Sequence, residues 1–321
     1  MFKVKNALII AKNSNRYLSF PDIIQNPKNQ NNLFLIYREG NKHHPTWSKL
    51  ILMESRSRGE KWRRKKTFPL TLKKDGGVWN CPRLSYIDTQ LVIMCDVKSS
   101  MFERTASWTT YMIRKNSLRF IKQLTPIPGM VPDRIIKFKD KLLCANHKIK
   151  SPKNDLIQLI SWSRDNGKTW YDTNIVANHL EKQFCEASVV NMGCYLIAYL
   201  RDNSGHMRNI WYVLSEDGIN WRKPIKLPIF GQRVTAIRDE NEIVGTYRDS
   251  QNIAVGMFRH DLSKKKIKKV DIDWEYKTNQ YHFGYTGLIK IGPNSYIVVN
   301  YTKQDEINPY IKLMFVDSYS P

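Results

Sequence analysis

The chain has 321 residues, 41% of them hydrophobic, and its 52 Lys and Arg against 29 Asp and Glu give a formal net charge of +23. That length and apolar content exclude a disordered chain and suffice for a sizeable core. No apolar run approaches the roughly 20 residues of a membrane span, and five cysteines, an odd number without CxxC spacing, argue against a disulfide framework or a zinc site.

Residues 3–11 (KVKNALIIA) open the chain as an apolar run flanked by lysine. It is short for a secretory signal and reads as a strand, which leaves localisation unassigned. Further short runs rich in β-branched and aromatic residues follow at 33–37, 49–53, 90–94, 156–161, 195–200, 210–214, 296–300 and 311–316. Clusters of turn residues separate them. The pattern predicts a meander of short antiparallel strands, and no capped i, i+3, i+4 stripe predicts a long helix.

Between these runs stand three related boxes: SRSRGEKW at 55–62, SRDNGKTW at 163–170 and SEDGINW at 215–221. Each residue type has a task. A Ser or Asp side chain bonds nearby backbone N–H groups and ties a turn. The glycine supplies a positive φ at no steric cost. The tryptophan is an apolar plate able to wedge between sheets. The first box begins 108 residues before the second, two steps of 54, and the third begins 52 residues after it. A copy due near 109 is degenerate, since IRKNSLRF at 113–120 keeps only the final aromatic. A period near 53 over this length predicts six units, that is, six four-stranded blades of a β-propeller in one domain spanning residues 1–321. The final unit is one strand short, so the N-terminal strand is expected to complete it and close the edge.

The positive charge recurs along the chain, as in Arg63-Arg64-Lys65-Lys66 and Lys264-Lys265-Lys266. It favours anionic partners. Nucleic-acid affinity from charge alone would be generic and salt-sensitive, and no nucleic-acid-binding module accompanies it.

The boxes and their period resemble the sialidase superfamily over nearly the whole chain. The resemblance implies a six-bladed all-β propeller, three arginines that hold the substrate carboxylate, a tyrosine nucleophile activated by a glutamate, and an aspartate acid/base. Carried over residue by residue, Glu186 in CEASVV matches the glutamate, and Arg201, 15 residues on, the second arginine. Arg248 in GTYRDS matches the third arginine, and Tyr285 in GYTGL the nucleophile. The chain departs where the first arginine is expected, because Ser19-Phe20-Pro21 has Ser19 there. The glutamate that would support that arginine is replaced by Asn300 or Tyr301, with Glu306 further into the loop. Arg38 in YREGNKHH matches another active-site arginine. Its loop offers Glu39, His43 and His44, so His44 or His43 takes the place of the aspartate as acid/base. Asp22 and Arg83, in CPRLSYI, complete the expected set of substrate-binding residues.

The resemblance thus implies an exo-glycoside hydrolase acting on an acidic glycan: a sialic acid, a related nonulosonate or a uronic acid. Its partner would be an acidic carbohydrate or glycoconjugate, with neither cofactor nor metal. The alternative is a glycan- or protein-binding propeller without catalysis, since similar boxes occur in such proteins and fold does not fix function.

Overall fold

The computed structural model describes all residues except 69–77, 99–103, 115–116, 124–126, 151–154, 176–181, 206–207, 275–282, 305 and 320–321. Every regular element among the described residues is a strand. After β1 (Phe2–Ala11), a first antiparallel meander contains β2 (Tyr17–Asn26), β3 (Asn29–Gly40), β4 (Ser48–Ser55) and β5 (Arg63–Thr67). The second holds β6 (Val78–Ile87), β7 (Gln90–Lys98), β8 (Arg104–Arg114), β9 (Ser117–Gln123) and β10 (Ile127–Pro128). The third holds β11 (Ile136–Phe138), β12 (Lys141–Lys150), β13 (Asp155–Ser163) and β14 (Tyr171–Ile175). The fourth holds β15 (Phe184–Asn191), β16 (Leu196–Asp202), β17 (Asn209–Ser215) and β18 (Ile225–Phe230). The fifth holds β19 (Gln232–Asp239), β20 (Glu242–Asp249), β21 (Ala254–Asp261) and β22 (Lys266–Trp274). Last come β23 (Thr286–Gly292), β24 (Ser295–Thr302) and β25 (Tyr310–Ser318).

The expectation of six four-stranded blades needs correction, because five sheets have four strands and the second has five. There β9 and β10 pair successive stretches of the same strand, β8. The degenerate box copy falls on β8 and β9, with residues 115–116 outside the described set. The N-terminal strand does complete the last sheet. β1 runs antiparallel to β25 from Phe2 opposite Ser318 to Ala11 opposite Ile311, which covers that sheet's otherwise open edge.

By its contacts the chain divides into two units, Met1–Pro82 with Val234–Pro321, and Arg83–Arg233. In the first, Val244, Leu288, Tyr296, Val298 and Val316 are fully buried in one apolar cluster. In the second, Leu143, Ile160, Leu196, Leu200 and Val213 are equally buried in another. Each such aliphatic side chain contributes about 1.5–3 kcal/mol by leaving water. All five cysteines are free thiols; Cys194 is exposed, whereas the other four are buried.

The three boxes join the third and fourth strands of their sheets. In the second box the Gly167 N–H donates to Ser163 Oγ at 2.8 Å, while the Lys168 and Thr169 N–H groups donate to Asp165 Oδ1 at 3.0 and 2.9 Å. In the third, Asp217 Oδ1 accepts from the Ile219 and Asn220 N–H groups at 2.8 and 2.7 Å. In the first, Ser57 stands in for the aspartate and accepts from the Lys61 N–H at 2.9 Å. Trp170 packs on a cluster that joins Val92 and Met94 of β7 to Leu142 and Cys144 of β12, so it bridges two sheets of the second unit.

One buried histidine ties folding to pH. His260 on β21 is 2% exposed, and burial lowers its pKa from 6.5 to about 4. The unfolded chain therefore binds this proton first as pH falls. The stability the neutral ring contributes is full above pH 6.5 and is lost on the way down to about 4, with a slope of at most about 1.4 kcal/mol per pH unit. His260→Gln is expected to flatten the fall in unfolding free energy across this window in urea titrations. An unchanged slope would place the titration elsewhere.

Candidate functional site

A left-handed residue recurs at the start of each sheet. Phe20, Cys81, Val131, Glu186, Arg233 and Gly284 have φ of 53°, 43°, 49°, 50°, 44° and 82°. They lie in or just ahead of β2, β6, β11, β15, β19 and β23. For non-glycine residues this backbone costs roughly 1–2 kcal/mol each. Pairing slips at the same places, between Ser19 and Asp22 against β3 and between Cys185 and Ser188 against β16. These are bulges that re-aim side chains, and they set the candidate residues within each unit.

In the first unit, Gly284 lets the Arg248 stem pass. A Cβ at Gly284 would lie 2.9 Å from Arg248 Cγ and 3.0 Å from its Cβ. The Arg248 guanidinium then sits 4.9 Å over the Tyr285 ring. Phe20 packs on Tyr285 at 5.3 Å and on Tyr301 at 5.4 Å between ring centroids. Arg38 covers the Phe20 ring at 4.8 Å and the Tyr17 ring at 5.6 Å. Burial raises the phenol pKa of both Tyr17 and Tyr301 above the ordinary value, so both stay protonated beside the two arginines. Tyr285 itself is 8% exposed.

Arg38 is fully buried. Its guanidinium donates to the carbonyls of Lys42 and His43 at 3.1 and 3.0 Å, and to Asn80 Oδ1 at 2.7 Å. It therefore holds the loop that carries the two histidines. His43 Nδ1 lies 3.0 Å from the Tyr17 hydroxyl, and the His43 ring meets the exposed His44 edge-on at 4.7 Å. Glu39 turns to Lys49 at 2.8 Å. Asp22 is buried two residues past the Phe20 kink, its Cα 2.9 Å from where a Cβ on Gly287 would lie. Asn300 donates to Asp273 at 3.1 Å, and Glu306 pairs with Lys12 at 2.6 Å. Ser19 is fully buried opposite Arg38 in the β2–β3 register.

The second unit brings Glu186 and Arg201 together, with Oε2 accepting from the guanidinium at 2.8 Å. The guanidinium also donates to Asn203 at 3.0 Å. Burial alone would raise the Glu186 pKa, but Arg201, then Arg233 and His147, override it and hold the carboxyl well below its ordinary range. Arg83 Nε lies 4.0 Å from Asp133 Oδ1, which also faces the fully buried Arg233 at 3.7 Å. Three arginines, Arg83, Arg201 and Arg233, thus accompany two carboxylates, Glu186 and Asp133. The arrangement can fix a carboxylate base in its ionised form and accommodate a further anion.

Asp133, His147 and Arg233 are absent from the sequence reading. One signal for Asp133 was present. Phe20-Pro21-Asp22, Cys81-Pro82-Arg83 and Val131-Pro132-Asp133 share the form X-Pro-charged, and in each the residue before proline is the left-handed one.

Neither a protein-family model nor a curated protein matches the sequence. Among solved structures, the chain is similar to a protein of unknown function from Dyadobacter fermentans, with 16% identity, a TM-score of 0.81 and 99% of each chain covered. It is also similar to a Penicillium chrysogenum α-L-arabinanase complexed with arabinobiose, with 12% identity, a TM-score of 0.72 and 98% of each chain covered. A third likeness is to Trypanosoma rangeli sialidase in complex with 2,3-difluorosialic acid, a covalent intermediate. There the identity is 11% and the TM-score 0.69, with 99% of this chain and 59% of the sialidase covered. At such identities the likeness is one of fold: the chain is an all-β protein with the β-propeller fold of the sialidases and α-L-arabinanases, which are glycosidases.

Proposed function

We propose that the protein is a sialidase-like exo-glycoside hydrolase that removes an acidic sugar (a sialic acid, a related nonulosonate or a uronic acid) from the end of a glycan. The observation that carries this reading is the Arg248 guanidinium 4.9 Å over the Tyr285 ring, with a left-handed glycine leaving room for its stem. A planar guanidinium suits a carboxylate, and an acidic sugar held there would present its anomeric carbon to a phenol. The phenol is the fitting nucleophile because a carboxylate would be repelled by the acidic group of the substrate. In this mechanism Tyr285 bonds to the anomeric carbon as the bond to the leaving oxygen breaks. The family resemblance gives Glu186 the role of base for the phenol proton and His43 or His44 the role of acid for the leaving oxygen. Water then displaces the tyrosine.

Glu186 is tied to Arg201 in the free protein. An anion that competes for Arg201 would loosen that pair and raise the proton affinity of Glu186. Arg38, as the holder of the histidine loop, positions the acid.

A second reading, a neutral arabinofuranoside as substrate, draws on Ser19 in place of an arginine. It also draws on the mutual coverage of 98% with the arabinanase. Methylumbelliferyl sialoside, glucuronide, galacturonide and α-L-arabinofuranoside separate the two. The main reading expects turnover of an acidic member, with Arg248→Met raising KM at least tenfold. Turnover of the arabinofuranoside alone selects the second reading, and glycan-array binding without any turnover selects a non-catalytic propeller.

A further inference from the structure

A cavity of about 490 Å³ opens in the first unit on residues none of which belongs to the Tyr285 cluster. Its wall combines Phe2 of β1, Arg259 of β21, Lys268 and Lys269 of β22, and Ser318 and Tyr319 at the end of β25. We infer that this cavity is a second, non-catalytic binding site for a polyanionic saccharide, a chain with a carboxylate or sulfate on successive sugars.

Four observations converge on that ligand. Lys268 and Lys269 are exposed and form no close ion pair among the described residues, while Lys269 lies in the field of Asp271 two residues on. They belong to the run Lys264-Lys265-Lys266-Ile267-Lys268-Lys269, and Lys3 adds positive charge on β1, where Lys5 is already paired with Asp317. The carboxylate in the wall, Glu242, pairs with Arg259 at 2.7 Å, which also faces Asp239 at 3.1 Å, a carboxylate that Lys290 pairs as well. Arg259 is itself fixed by the Tyr296 hydroxyl at 2.8 Å, Ser318 Oγ at 3.2 Å and the Phe2 ring at 5.7 Å, so the floor is preorganised. Finally, Tyr319 is 46% exposed and offers an aromatic face for a sugar ring beside the neutral groups of Ser318 and Asn294. The volume suits a short stretch of oligosaccharide.

The test is fluorescence-anisotropy binding of a labelled heparin hexasaccharide and a labelled hexagalacturonate, which distinguish sulfate from carboxylate. The inference expects at least one probe to bind and Lys268→Glu/Lys269→Glu to weaken it tenfold or more. It expects Tyr319→Ala to weaken it at least threefold. The charge-matched control Lys28→Glu/Lys61→Glu, at exposed lysines elsewhere, should change affinity less than threefold, and Tyr285→Phe should leave it unchanged. Equal loss in the control, no binding of either probe, or tighter binding of a DNA duplex lost in the same variant would each overturn the inference.

Discussion

Gly284→Val is expected to destabilise the protein by about 3 kcal/mol and to abolish turnover. A side chain at φ +82° is strained wherever it sits, and a β-branched one most of all. The added Cβ would also lie within 3.0 Å of both Arg248 Cβ and Cγ. Forcing such an overlap costs typically 1–3 kcal/mol, and relief requires the Arg248 stem to swing away from the Tyr285 ring. Urea unfolding reads the first effect. Catalysis reads the second separately, because Gly284→Ala, with a smaller stability loss, should still lower kcat/KM at least a hundredfold. Wild-type kinetics in Gly284→Ala would mean that Arg248 does not need this passage.

The second large effect is expected at the Glu186–Arg201 pair. Arg201→Met leaves a buried carboxylate with one fewer cation, a change that costs about 3–5 kcal/mol when the other partner stays charged. The sign with pH follows from the direction of the shift. Glu186 has a folded pKa below its ordinary 4.5, so the stability it contributes is full above that pH and is lost as pH falls further. The gap between wild type and Arg201→Met should therefore be widest above pH 4.5 and narrow in acid. The double variant Arg201→Met/Glu186→Gln should lose much less than the sum of the two single variants. Additive losses, or a gap independent of pH, would show that the pair is not coupled.

The strands were legible because their apolar runs carry their own signal: each run read at 33–37, 90–94, 156–161 and 311–316 lies inside a strand. Closure by the first strand was legible from a missing strand in the last unit. The turn boxes were legible because Ser, Asp and Gly are each there for a bond or a dihedral angle that only a few residue types supply. The interior of the site was not. Phe20, Val131, Glu186 and Arg233 take left-handed backbone without any glycine to announce it, and long-range packing imposes that choice. Arg38 illustrates a second limit. Its motif resembles that of a ligand-binding arginine, and no feature of the sequence announces that its guanidinium also binds the loop carbonyls of Lys42 and His43. Arg233 sits in no motif at all, and its significance arises from Asp133, a hundred residues earlier in the chain.

The central claim, that Tyr285 is the nucleophile of a glycosidase, is tested most directly by trapping. The protein is incubated with an analogue of whichever acidic sugar it hydrolyses that bears a leaving fluoride on the anomeric carbon and a second fluorine on the adjacent carbon, digested, and mapped by mass spectrometry. The account predicts one added glycosyl group on the peptide containing Gly284-Tyr285-Thr286, absent from Tyr285→Phe, which should also lose at least a thousandfold in turnover. A label on a carboxylate, or full hydrolysis by Tyr285→Phe, would contradict it.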